Sequence, residues 1–156
     1  MSSTRYSSYS SLKGIGGWLL FLCIALTVLT PFGLLAELSS AIDLSAQLKN
    51  SYPRFSSVVF LAALPKLLLV IFSFYAGVSL WRVKQHAVVK AQWFLISYAA
   101  FSLLHIMTAF LGDLPADIRQ NVVNAYGIGA LRVLAFSVVW HQYLRRSERV
   151  ANTYSP

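Results

Sequence analysis

The chain has 156 residues, of which 57% are hydrophobic and only 12% charged, with a mean hydropathy of +0.62. Soluble domains carry about 25% charged residues, so this composition excludes an ordinary water-solvated fold, and the length excludes a large transporter or a multidomain enzyme. The formal net charge of +8 would suggest nucleic-acid binding in a soluble protein, but no soluble basic domain remains to carry it, so nucleic acid is excluded as a partner.

Residues 1–13 open the chain with six serines before Leu12 and with Tyr6 and Tyr9, a composition that predicts a disordered tail. Four apolar runs follow, at about residues 16–37, 57–81, 91–111 and 122–143. Each has the roughly 20 residues needed to cross about 30 Å of hydrocarbon as an α-helix. The first is too long for the h-region of a signal peptide and lacks a convincing cleavage site, so it reads as a retained span. Between the first two spans, Ser40 to Asp43 has capping-box spacing, with Ala41, Leu44 and Leu48 on one face. This predicts a separate short helix on the outer surface, ending before Pro53. Asp113 ahead of Pro115 predicts a capped turn before the fourth span. Residues 14–144 thus form one all-α, polytopic four-helix transmembrane domain, and residues 145–156 a basic tail.

Basic residues sit at Arg5 and Lys13, at Arg82, Lys84 and Lys90, and at Arg145, Arg146 and Arg149; the alternate loops hold only Lys49, Arg54 and Arg119, beside Asp43, Asp113 and Asp117. The positive-inside rule places both termini in the cytoplasm. Trp18, Trp81, Trp93 and Trp140 all fall at that same end of their spans, where indole rings favour the interface.

Lys66, His105 and Arg132 lie inside spans, where ionisable groups are costly unless they face protein, water or a partner. At 1.5 Å per residue from the tryptophan level, Arg132 lies roughly 12 Å deep, His105 roughly 18 Å, Lys66 roughly 22 Å and Glu37 roughly 28 Å, at the outer rim. Helical spacing groups Thr27 with Thr30 and Glu37, Lys66 with Ser73 and Gly77, His105 with Tyr98 and Ser102, and Arg132 with Ala125 and Gly129. Each span therefore has one polar or small stripe, and four stripes at matched depth predict a bundle with a polar interior. Singly the members have plainer uses. Serine and threonine bond back to their own helix, and Ala125 with Gly129 makes a small-xxx-small contact, as Gly77 does at its own seam. Lys66, loosened by Pro65, reaches the outer boundary or a partner, and His105 serves as a core residue or a proton carrier. Arg132 is the exception, since it keeps its proton and is too deep to reach water cheaply. The chain offers no carboxylate at its depth, so its counter-charge is expected from a lipid headgroup, a bound anion or a partner's acid.

No catalytic set appears. Gly14-Ile15-Gly16-Gly17 lacks the strand and third glycine of a dinucleotide site, and is expected to let span one begin close to a neighbour. His86, His105 and His141 lie on separate elements and the lone cysteine, Cys23, is inside span one, so no metal, cofactor or disulfide is expected. The opening Gly14-Ile15-Gly16-Gly17-Trp18-Leu19 and the closing Tyr143-Leu144-Arg145-Arg146-Ser147-Glu148-Arg149-Val150-Ala151-Asn152-Thr153-Tyr154 resemble the bacterial family catalogued as domain of unknown function 2569. The resemblance implies a four-span inner-membrane protein and brings no activity with it. His141-Gln142 stand where that family has an apolar residue and proline, so the last span is expected to continue unkinked.

The expected function is a non-enzymatic accessory or assembly subunit of a bacterial inner membrane, docking through its helices on a larger membrane partner or on a second copy. The alternative is a binder or carrier of a small anion or anionic lipid, with Arg132, Lys66 and His105, aided by Glu37, Thr27, Ser73 and Ser102, around a polar interior. Arg145, Arg146 and Arg149 are expected on anionic headgroups or as topology signals. A pocket beside Lys66 would favour binding; a dry, closed interior would favour assembly.

Overall fold

A computed structural model describes residues 14–154, all helices and turns with no strand among them. Helix α1 spans Trp18–Leu48, α2 Pro53–Trp81, α3 Ala87–Ile106, α4 Thr108–Leu111, α5 Ala116–Arg146 and α6 Glu148–Tyr154. Helices α1, α2 and α5, with α3 extended by α4, are long and apolar enough to cross a membrane, and the chain is a multi-pass membrane protein. The serine-rich tail expected over residues 1–13 lies outside the described residues.

Two local expectations change. The separate outer helix after Glu37 does not form, because α1 runs on unbroken to Leu48. No glycine or proline interrupts residues 34–52, Ser40 donates its hydroxyl back to the Ala36 carbonyl (3.0 Å) instead of capping, and Ala41 and Ser45 stay buried. Asp113 adopts a left-handed φ of 53° and does not cap α5; its carboxylate accepts from Arg54 at 2.6 Å, tying the start of α2 to the turn before α5. Helix α5 is continuous through His141 and Gln142 to Arg146.

Helix α1 carries one irregularity, a π turn at Ala25–Leu29. There the Thr30 amide bonds five residues back, to the Ala25 carbonyl. The next residue is Pro31, which has no amide proton, so the Leu26 carbonyl gains no partner from its own helix in that register. Ser73 of α2 fills the role, donating to Leu26 O at 2.7 Å from a fully buried position. A Cβ on Gly77, one turn along, would stand 2.5 Å from Thr27 Cγ2 and 3.0 Å from the Thr27 nitrogen. Only glycine lets α2 lie this close on the π turn.

The helices pack in chain order, α1 on α2, α2 on α3 and α3 on α5, and no comparable seam joins α1 to α5. Buried apolar side chains form two separate cores. One lies at the end that holds the start of α1 and the end of α5, and it includes Leu19, Leu22, Leu80, Phe94, Trp140 and Leu144. The other lies at the far end and comprises Ala41, Phe55, Val59, Ala109, Leu114 and Val122. Gly112 admits Phe55 there, since a Cβ would come within 2.6 Å of its ring. In lipid, such cores hold by close van der Waals packing, as the surrounding acyl chains are equally apolar. The outward faces, with Phe32, Phe60, Leu61, Ile71 and Leu104 exposed, suit that solvent.

The chain ends meet at the first core. Gly14 and Gly17 take positive φ values of 97° and 56°, turning the chain into α1, and the Gly14 amide donates to Thr153 Oγ1 at 3.0 Å. Helix α6 folds back instead of trailing as a free tail: Val150 and Thr153 are buried, Tyr154 donates its hydroxyl to the Leu80 carbonyl at 2.8 Å, and the Arg149 guanidinium lies 3.0 Å from where a Cβ on Gly16 would stand. Burial pushes the Tyr154 hydroxyl well above its ordinary pKa, so it remains a donor. Trp140 also departs from expectation. It is buried under Phe21 and Trp18, with ring centroids at 5.7 and 6.2 Å, and only Trp18, Trp81 and Trp93 present exposed indoles.

Candidate functional site: a cleft between the first and last spans

Between the two cores lies a cavity of about 510 Å³, walled by α1 from Leu34 to Leu44 and by α5 from Ala125 to Val133, with α2 and α3 behind. Most of its lining is apolar, and its polar groups come from all four long helices. Ala36, Glu37, Ser40, Ala125, Ile128 and Arg132 line it and are themselves exposed, so it is a cleft with an open side.

Lys66 projects inward from the turn after Pro65. Its residue surface is 3% exposed, so its ammonium does not reach the far boundary; it donates to Glu37 Oε2 at 3.3 Å. The Glu37 side chain is 52% exposed and faces the cleft. The resulting pair has its cation dry and its anion accessible, and the two charges cancel.

Arg132 stands on the opposite wall. Among the described residues it forms no hydrogen bond or ion pair, and both ion pairs in the fold, Lys66–Glu37 and Arg54–Asp113, leave it out. With Lys66 neutralised by Glu37, the cleft carries one uncompensated positive charge, on a planar guanidinium whose donor fork matches a carboxylate or phosphate.

His105 is wedged between aromatic rings, with Phe101 at 5.6 Å and Tyr126 at 4.5 Å between centroids. Neither of its ring nitrogens has a hydrogen-bond partner, nor does the buried Tyr126 hydroxyl. These are polar atoms in the cavity wall with hydrogen-bonding capacity to spare. Ser102 lines the cleft too, but its hydroxyl donates to the Ala99 carbonyl at 2.8 Å.

Of the residues expected around a polar interior, Arg132, Lys66, His105, Glu37 and Ser102 come together in the cleft. Thr27 and Ser73 do not. They lie on the α1–α2 seam, where Thr27 donates to the Cys23 carbonyl at 2.7 Å and Ser73 serves the π turn. Ala125 and Gly129, expected at a close helix contact, line the cleft instead, and a Cβ on Gly129 would touch nothing within 4 Å. The cause is that α1 does not pack against α5 there. Arg145 and Arg146 are exposed on the last turn of α5. Tyr126 is the wall residue that stripe reasoning passes over; a hydroxyl three residues from Gly129 in an apolar span is the signal that marks it.

A family model described as a protein of unknown function (DUF2569) matches residues 12–155 of the chain. No curated protein and no solved structure matches it.

Proposed function

Since the chain belongs to the DUF2569 family of proteins of unknown function, which lends no activity, we propose from the cleft's geometry that the protein is a non-enzymatic binder of an oxygen anion, a phosphate or carboxylate group. The observation that carries this reading is Arg132, a guanidinium on a cavity wall with no acidic partner among the described residues. Arg132 is the primary ligand through bidentate hydrogen bonds. Lys66 adds a second cation once Glu37 swings toward the open side, and His105 with Tyr126 supplies the remaining hydrogen bonds. The expected pocket beside Lys66 is the feature that tips the balance from docking to binding. Titrating inorganic phosphate, sulfate and acetate into the purified protein, with binding followed by NMR, tests it. Saturable binding of at least one is expected; linear, unsaturable response to all three would reject the reading.

A second reading rests on the open side of the same cleft, where a span of a larger membrane partner could present an acid to Arg132. An accessory or assembly role of that kind predicts recovery of a second protein by crosslinking in mild detergent. In either case the membrane we assign is a bacterial inner membrane with both termini cytoplasmic, on the distribution of lysine and arginine. Reporter fusions at Asn50 and Gln120 that behave as periplasmic are expected; cytoplasmic behaviour would overturn the orientation.

A further inference from the structure

The cleft lies between the two packed cores. On the side of the chain termini, the first core closes it with Trp140 buried beneath Trp18 and Phe21. At the far end the second core closes it around Phe55, which is 0% exposed. That closure is reinforced by the Arg54–Asp113 ion pair and by the close approach of Gly112 to Phe55. The remaining side is the gap between α1 and α5, which no extensive seam joins. Its lips, Ala36 on α1 and Ala125 on α5, are exposed and belong to helices long and apolar enough to cross a membrane, so along the span the gap opens toward lipid, with Glu37 at its outer rim.

We infer that the ligand enters sideways from the bilayer: it is a membrane amphiphile whose anionic phosphate or carboxylate head is drawn to Arg132 while its acyl chain leaves through the α1–α5 gap. The inference rests on the anion-binding reading and narrows it. A hydrated ion would have to give up its water in a mostly apolar cleft to reach Arg132, and burying it unaccompanied is costly. An amphiphile already resident in the membrane brings its head to the cation and lays its chain against the apolar walls. The mostly apolar lining with polar groups concentrated at Arg132, Lys66 and His105 matches such a molecule at both ends.

The experiment straps the gap. Ala36→Cys with Ala125→Cys, joined by a bis-maleimide carrying a cleavable disulfide, places a tether across the opening. The native thiol, Cys23, is fully buried and does not compete. Phosphatidate retention from phosphatidylcholine nanodiscs containing it is read by native mass spectrometry, and inorganic phosphate binding by NMR, for the open, strapped and re-opened forms. The expected result is a loss of about tenfold in phosphatidate affinity on strapping, recovery when the tether is cut, and unchanged phosphate binding in detergent. Phosphate binding without phosphatidate binding in the open form would assign the site to a soluble ion and overturn the lateral route. Equal phosphatidate retention by strapped and open forms would overturn it as well. A co-purifying protein released by strapping, in place of lipid, would give the gap to a partner's helix. Failure of the open form to bind either probe would instead remove the anion-binding reading itself.

Discussion

At the residue scale, the Lys66–Glu37 pair and Gly77 are where single substitutions speak most clearly. Glu37→Gln would leave the Lys66 ammonium dry and without a carboxylate; because the Glu37 side chain is half exposed, the loss should fall below the about 3–5 kcal/mol of a fully buried pair. Thermal melting in detergent should show that loss, and the double variant Glu37→Gln with Lys66→Met should recover most of it, because the unpaired charge is then gone. Melting of the double variant no higher than that of Glu37→Gln would mean the pair contributes nothing as a pair. Gly77→Val would force side-chain atoms into Thr27 and the backbone of the π turn, where even a Cβ is too close; overpacking of this kind costs about 1–3 kcal/mol. Gly129→Ala, facing open cleft, should leave the melting temperature unchanged. The contrast between the two glycines, both read from sequence as helix-packing positions, is the sharper check.

At the element scale, the fold closes on itself through the chain-end segments. Helix α6 is fastened by Thr153 to Gly14 and by Tyr154 to the carbonyl of Leu80 near the end of α2. Tyr154→Phe removes a donor from a part-buried carbonyl, which costs about 1–2 kcal/mol, and faster amide exchange over residues 148–154 than over the body of α5 should accompany it. Undisturbed exchange there would show that the clasp is incidental. The four long helices were legible from hydropathy and length because a bilayer permits little else for long apolar runs. The clasp was not, because a short basic segment with alternating polar residues looks the same whether it trails, lies on headgroups or folds back. The π turn was legible only in part: Pro31 marks an interruption in α1, but the approach of Ser73 and Gly77 from the neighbouring helix that accommodates it is recorded nowhere within α1. Likewise Ser40 to Asp43 has the letters of a helix start, yet burial of Ala41 against the second core carries α1 straight through.

At the scale of the whole molecule, the order of helix packing matters more than any one contact. A four-helix bundle that closed α1 onto α5 would bring Ala125 and Gly129 against α1 and leave no cavity. In this chain the walls stay apart between two packed cores, and the polar stripes of the far half become the lining of a cleft. The polar residues nearer the termini, Thr27 and Ser73, are consumed in structure. Depth and helical phase group all of these residues alike; which pair of helices stands open is a property of the packing between helices, which neither of them records. Whether Arg132 holds the anion is decided by retention of phosphatidate, phosphate or carboxylate ligands by purified wild-type protein, Arg132→Lys and Arg132→Leu, beside thermal melting of each. Arg132→Leu should insert and melt like wild type but lose retention by at least about tenfold, with Arg132→Lys intermediate because it keeps the charge and loses the fork. Equal retention by all three proteins would contradict this.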